Sequence, residues 1–280
     1  KQVLFENGTD ICFKNNSFLH IKNSTIKIKG TDKIPIKIKS CNNSTGSIIF
    51  ENSKINLNYL SLNSLSSPEI NTRNLYGGLN IINSDMKANK LDVQDSKSED
   101  AVNFINSNIN IDRLDLKTIQ SDALDSDFSR LQINSLICHD IGNDCLDLSY
   151  SNGDISNIYA ANIKDKVVSL GEKSNISILS VEAYDSEIGL VAKDQSILNI
   201  NLYKFNDLKI PVSAYIKKQE YGPPSIIINN TSSNKYLNQL NFISKDSSVL
   251  INGKVIKGIS DSSEVSEMFY GNIFGVKTKR

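Results

Sequence analysis

Tryptophan is missing from this 280-residue chain, methionine occurs twice and proline five times. No apolar run approaches the 18 or so residues that a membrane helix needs, so no membrane-spanning segment is expected. Charge of either sign is also lacking in excess: 31 Lys+Arg against 31 Asp+Glu give a formal net charge of +0. That balance removes the electrostatic reason to expect nucleic acid or an anionic bilayer as a partner. Histidine appears only as His20 and His139, and neither a zinc pattern nor a phosphate loop is present. The start at Lys1-Gln2-Val3-Leu4-Phe5 shows no cleavable leader and suggests a segment trimmed from a longer chain, with other domains as candidate neighbours.

Asn (35), Ser (38) and Ile (38) together make up about 40% of the residues. β-Branched residues suit strands, and Asn tolerates the left-handed backbone of tight turns, so this is material for short strands between turns rather than long helices. Periodicity supports the same reading. Segments beginning at Asp100, Asp122, Asp144, Asp165, Glu187 and Lys209 align at spacings of 22, 22, 21, 22 and 22 residues. Gly78 opens another such segment 22 residues before Asp100. Within each repeat a second strand follows, as in Asn108-Ile-Asn-Ile and Asn175-Ile-Ser-Ile, and then a third, as in Leu114-Asp-Leu. Three short strands per 22 residues leave no room for propeller blades and do not fit a leucine-rich repeat.

The expected fold is therefore all-β, a single-stranded right-handed parallel β-helix of ten to twelve coils stacked at about 4.8 Å. It is read as one domain: 1–45 as N-terminal coils or cap, 46–231 as regular coils, and 232–280 as the last coil and C-terminal cap. A short helix over 262–270, N-capped by a Ser, is expected to blunt the final rung.

Stacked coils turn sequence offsets into columns. One column is read as Asp100, Asp122, Asp144, Asp165 and Glu187, with Asp125 and Asp147 sharing a second. Carboxylates a few ångströms apart repel, so they must be neutralised, bind a metal or take raised pKa values. Capping of turn N–H groups is the structural alternative. No cofactor is expected; Ca2+ suits such oxygens, but no calcium motif is present. A further column is read as Phe128, Tyr150, Gly171, Lys193 and Tyr215, with Glu172 and Asp194 beside it and Lys217, Lys218 and Tyr221 following. Carboxylates, lysines and aromatic rings together are what a sugar or uronate site needs; a solvated surface of paired charges is the alternative. Cys138 with Cys145 and Cys12 with Cys41 are read either as disulfides or as packed thiols. His139-Asp140 is read as a surface turn.

Successive rungs resemble those of the polygalacturonases, glycoside hydrolase family 28, within the pectin-lyase-like superfamily. Gln120-Ser-Asp122 is similar to that family's Asn-Thr-Asp segment, and Gly142-Asn143-Asp144-Cys145 to its Asp-Asp-Cys segment, with Asn143 in place of the first Asp. Lys166 stands where the family has His; Lys193 matches its Lys, and Val191 replaces its Arg. Ile210-Pro211 to Tyr215 resembles a Pro-to-Tyr strand of the next coil. The chain also resembles predicted secreted β-helix repeat proteins.

These resemblances imply an extracellular or cell-envelope protein that binds or processes an acidic polysaccharide, with lyase, epimerase or hydrolase chemistry if it is an enzyme. The catalytic candidates are Asp122 and Asp144 as acid, base or metal ligand, Lys166 and Lys193 for the uronate charge or as base, and Tyr215 as acid or stacking group. Asp125, Asn143, Asp147, Glu172, Lys217 and Tyr221 are candidates for substrate binding. The competing expectation is a non-catalytic structural or surface-assembly module, because a solenoid's outer face drifts freely while its inner ladders hold.

Overall fold

A computed structural model describes residues 1–41, 45–70, 73–231 and 240–270. The chain winds as a parallel β-solenoid of about ten turns, with neighbouring turns about 23 residues apart. Pairing between coils is parallel throughout the regular region, as in Asn108↔Arg130, Arg130↔Asn152, Asn152↔Asn175 and Asn175↔Ile197. In-register stacking puts like side chains over like, so the interior is built from columns. Leu114, Leu136, Ile158 and Val181 form one; Val102, Leu124, Leu146 and Val168 form another.

The first coils keep three strands, Gln2–Phe5, Asp10–Phe13 and Ser17–Lys22 pairing with Thr25–Ile28, Ile36–Ser40 and Gly46–Glu51. In the later coils the expected second and third strands fuse into one run, such as Asn108–Ile119 or Arg130–Ile141, which skips a pairing at Asp112 and another at Thr118 and their equivalents. A bend that keeps the strand extended needs no Gly or Pro, so sequence punctuation does not mark it.

The corners are sharp and repetitive. Asn52, Asn83 and Asn106 take φ of 47, 48 and 47°, the left-handed region that Asn tolerates better than most residues. Directly after each comes a buried Ser. Ser84, Ser107, Ser129, Ser151 and Ser174 each accept, on Oγ, the N–H of the preceding coil's Ser at 3.0–3.2 Å. Oγ of Ser84, Ser107, Ser129 and Ser151 donates to the carbonyl two residues back. This ladder satisfies N–H groups that the corner would otherwise bury unpaired.

Both cysteine pairs are disulfides, Cys12–Cys41 and Cys138–Cys145. The second ties one strand to the start of the next across a short, buried loop. Replacing both Cys138 and Cys145 with alanine should cost about 2–3 kcal/mol, the loop-closure entropy returned to the unfolded chain. Urea unfolding with and without reductant checks this; equal midpoints for wild type and variant under oxidising conditions would refute it.

The far end is closed by an antiparallel hairpin, Ser248–Ile251 with Lys254–Ile256, whose Asn252 and Gly253 both have positive φ. Such a turn matches strand twist and ends parallel addition. The helix forms at Ser262–Tyr270 as expected. Its cap differs: Asp261 supplies the first intrahelical carbonyl to Val265, and Glu264 accepts the Asp261 N–H at 2.9 Å. Ser262 Oγ instead accepts the Ile216 N–H, tying the helix to the last long strand. Of the expected C-terminal unit, 232–239 and 271–280 lie outside the described residues.

Candidate functional site

One outer sheet face carries most of the candidate residues. Its strands are Asp100–Ile105, Asp122–Asp127, Leu146–Ser149 and Lys166–Leu170. At the N-terminal end Leu75, with Ile70 packed beside it, covers Ile49 and Ile82. At the other end Val265 and Phe269 of the helix cover Ile188, Val191, Ile210 and Tyr215. Between these two apolar lids the same positions are occupied by Asp100, Asn103, Asp122, Asp125, Asp127, Asp144 and Asp147.

Register corrects the expected acidic column. Leu146 pairs with Leu124, and Leu148 with Leu170, so the offset from Asp144 is again 22 residues and Lys166 lies over it. Asp165 and Glu187 fall one residue outside the column, which continues as Ile188 and Ile210. A one-residue slip exchanges the faces of a strand. Asp125 and Asp147 do share a column, whereas the one expected from Phe128 to Tyr215 divides. Gly171, Lys193 and Tyr215 stack above Asp127 and Ser149, whereas Phe128 and Tyr150 occupy the corner column of Asn83 and Asn106.

The five residues proposed for catalysis are engaged within the protein. Asp122 Oδ1 accepts the Asp144 N–H (2.8 Å) and Asn143 Nδ2 (2.7 Å); Asp144 Oδ1 accepts the Lys166 N–H (2.9 Å). Both make the backbone hydrogen bonds that the structural alternative expects. Lys166, only 4% exposed, lies between Asp165 (2.5 Å) and Asp144 (3.4 Å). Burial pulls its pKa down, and the two carboxylates more than offset that, so the ammonium is held charged. Lys193 donates to Ser169 Oγ (2.8 Å) and stands 4.0 Å from Asp147; burial lowers its pKa, while Tyr270 and Asp147 raise it by more. Tyr215 is buried, stacked on Phe269 at 5.2 Å, and its phenol is pushed well up by burial and by Tyr270. Close backbone approach also fixes this region: a Cβ on Gly142 would sit 2.0 Å from the Gln120 carbonyl oxygen.

The remaining carboxylates are less satisfied. Burial raises Asp100 to about 7 despite its bond from Asn103, and raises Asp122 to about 9 with Asp144 and Asp147 adding to it. Asp125 goes well above the ordinary carboxylate range and Asp127 is raised, burial leading in both, with Asp147 among the charges that add to it. Asp144 is raised to about 7 by burial against the pull of Lys166. Among the described residues no three such groups are spaced to hold a metal ion.

Beside Asp127 runs an aromatic and ionic edge. Phe128, 59% exposed, stacks on Tyr150 with centroids 4.7 Å apart and planes 9° apart. Tyr150 meets Tyr221 edge-on and their hydroxyls are hydrogen-bonded. Glu172 accepts from Ser149 Oγ (2.6 Å) and pairs with Lys218; burial raises its pKa, and those two partners lower it by more. Lys217 stands apart on the helix side, its ammonium 4.1 Å from the centre of the Tyr270 ring. His139 and Asp140 form the expected exposed corner, 2.8 Å apart.

Phe128 and Tyr150 hold φ of 53° and 51°, where earlier coils use Asn. A bulky side chain there is strained by on the order of 1 kcal/mol, and such strain concentrates where function requires a particular group. The column itself was legible at spacings of 23, 22 and 22 residues in Asn83, Asn106, Phe128 and Tyr150, but only to a reading that tracked corners as well as strands. Comparison with family models, with curated proteins and with solved structures returned no match.

Proposed function

We propose that this solenoid binds a polysaccharide along the outer face bounded by Leu75 and the helix, as a binding module in which the five candidate catalytic residues serve structure. The observation that supports this most is the strained, exposed Phe128–Tyr150 stack beside Asp125 and Asp127, which form no ion pair among the described residues. Aromatic faces stack on sugar rings, and carboxyl groups exchange hydrogen bonds with sugar hydroxyls. Asp125, Asp127 and Asp147 are the polar contacts in this reading.

The expectation of an acidic glycan rested on Lys166 and Lys193. Both are taken up by neighbouring side chains, so the face offers a uronate no free cation among them. A chain without carboxylates, neutral or amino-substituted, suits the face better. Two disulfides are at home in an oxidising compartment, which supports export or a place in the cell envelope.

The test is a panel of neutral, amino and uronate oligosaccharides probed with wild type, Phe128→Asn/Tyr150→Asn and Asp125→Asn/Asp147→Asn. Asn is the residue other coils place at this corner, so the first variant should keep its melting temperature while losing the stacking surface. At least a tenfold loss of affinity for a neutral or amino sugar is expected in both variants. Binding confined to uronates, or left intact by both double substitutions, would contradict the proposal.

A further inference from the structure

On a different side of the solenoid, the bend between the fused strand segments forms a groove of about 530 Å³. Three consecutive coils line it with Asn58-Tyr59, Asn89-Lys90 and Asp112-Arg113, and the turn at Gly30-Thr31-Asp32 closes one side. Register makes Tyr59, Lys90 and Arg113 one column, with Ser61, Asp92 and Asp115 two residues further on.

The wall is pre-organised. Lys90 lies 4.3 Å from the centre of the Tyr59 ring and donates to its hydroxyl at 3.2 Å, with Asp92 3.3 Å away. Tyr59 in turn donates to Asp92. Arg113 is fixed through Nε on Asp115 at 2.9 Å, so its terminal amino groups carry no bond to the described residues. Asn89 Nδ2 bonds Asn58 Oδ1, leaving the Asn58 amide N–H groups and the Asn89 carbonyl for a ligand. Asp112 accepts from Asn134 on one oxygen and keeps the other.

Lys90 and Arg113 are already paired with Asp92 and Asp115, so with Asp32 and Asp112 also on the lining no net positive charge is presented. An anion is not favoured by such a wall. Among the described residues no aliphatic side chain lines it, so an apolar peptide anchor finds no pocket there. Donors and acceptors alternate over successive coils, which is the demand of a vicinal diol: carboxylate oxygens accept from hydroxyls while guanidinium and amide N–H groups donate to them. We propose that this groove is a second ligand site, independent of the carboxylate face, that takes a neutral, hydroxyl-rich oligosaccharide.

Titration calorimetry of the full chain with neutral hexasaccharides of several linkages tests this, with uronate hexasaccharides and a mixed peptide pool as the other arms. Arg113→Ala and, separately, Asp112→Asn should each weaken a neutral hexasaccharide at least tenfold. In the Asp125→Asn/Asp147→Asn background, where the other face has lost its polar contacts, one site for the neutral hexasaccharide should remain, and adding Arg113→Ala should remove it. Both groove substitutions fall on half-exposed or exposed surface, and an unaltered melting temperature would show that the fold survives. The proposal is overturned if no neutral hexasaccharide binds at millimolar concentration, if the uronate or peptide arms alone bind, or if affinity survives both groove substitutions. Binding lost only in Asp125→Asn/Asp147→Asn would overturn this site and leave the other standing.

Discussion

Replacing Lys166 with methionine should cost about 3–5 kcal/mol at pH 8, which is the usual consequence of removing one partner from a buried ion pair. Methionine fills nearly the same volume, so the loss is not a cavity effect. Asp144 and Asp165 would be left facing each other, 3% and 6% exposed, with no cation between them. Protonation relieves that arrangement. With Lys166 present Asp144 already sits at about 7 because of burial, and without the lysine it moves higher. A group whose folded pKa is raised destabilises the fold increasingly from its unfolded pKa up to its folded one, and is harmless once both states hold the proton. Wild type and Lys166→Met part where Asp144 ionises in wild type alone, so the deficit should be smaller at pH 5 than at pH 8. Urea unfolding at the two pH values measures it. A deficit that is equal at both, or below about 1 kcal/mol at pH 8, would show that Lys166 does not neutralise this pair.

That same lysine shows how far sequence reading reached. The coil period, the ladders of Ile, Leu and Val, the helix and the gathering of Asp122, Asp125, Asp144 and Asp147 on one face all follow from regular spacing, because stacking converts period into position. Register to the single residue does not follow. Asp165 and Lys166 are adjacent, both are polar, and alternation is blurred here because the whole run from Lys166 to Leu170 is buried. Hydrophobic pattern cannot choose between two registers when neither face is left to solvent. Chemical roles were harder still. Asp122 as a cap and Asp122 as an acid look identical in sequence; the difference lies in an N–H from the next coil, 22 residues on. Lys193 and Tyr215 share one column as expected, yet their surroundings depend on the helix Ser262–Tyr270, far along the chain from both. The groove at Tyr59, Lys90 and Arg113 was missed because its period crosses an irregular stretch, where coils are 31 and 23 residues apart.

The carboxylate face makes the whole fold sensitive to pH. In the unfolded chain an aspartate titrates near 3.9. Asp100 sits at about 7, Asp122 at about 9 and Asp125 well above the ordinary range, with burial as the leading cause in each. Between those limits the folded state keeps protons that the unfolded state has released, so stability falls as pH rises. One raised carboxyl costs about 1.4 kcal/mol per pH unit across its own window, and neighbours on one face titrate together rather than singly. Stability should thus peak near pH 4–5 and drop by several kcal/mol by pH 9. Below that peak the opposite set takes over, since Glu172 and Glu182 are held low by Lys218 and Lys204 and lose those partners on protonation. Asp122→Asn separates the charge from the cap, because an amide oxygen can still accept from the Asp144 N–H. At pH 8.5 this substitution should stabilise the protein by about 2 kcal/mol or more, and at pH 4.5 it should be close to neutral. Asp125→Asn should behave alike, as its carboxylate has no hydrogen-bond partner among the described residues to lose. Melting temperatures of the three proteins from pH 4 to pH 9 provide the measurement. A flat wild-type profile, or an Asp122→Asn variant that is less stable than wild type at pH 8.5, would mean that these carboxylates are neutralised in the folded chain.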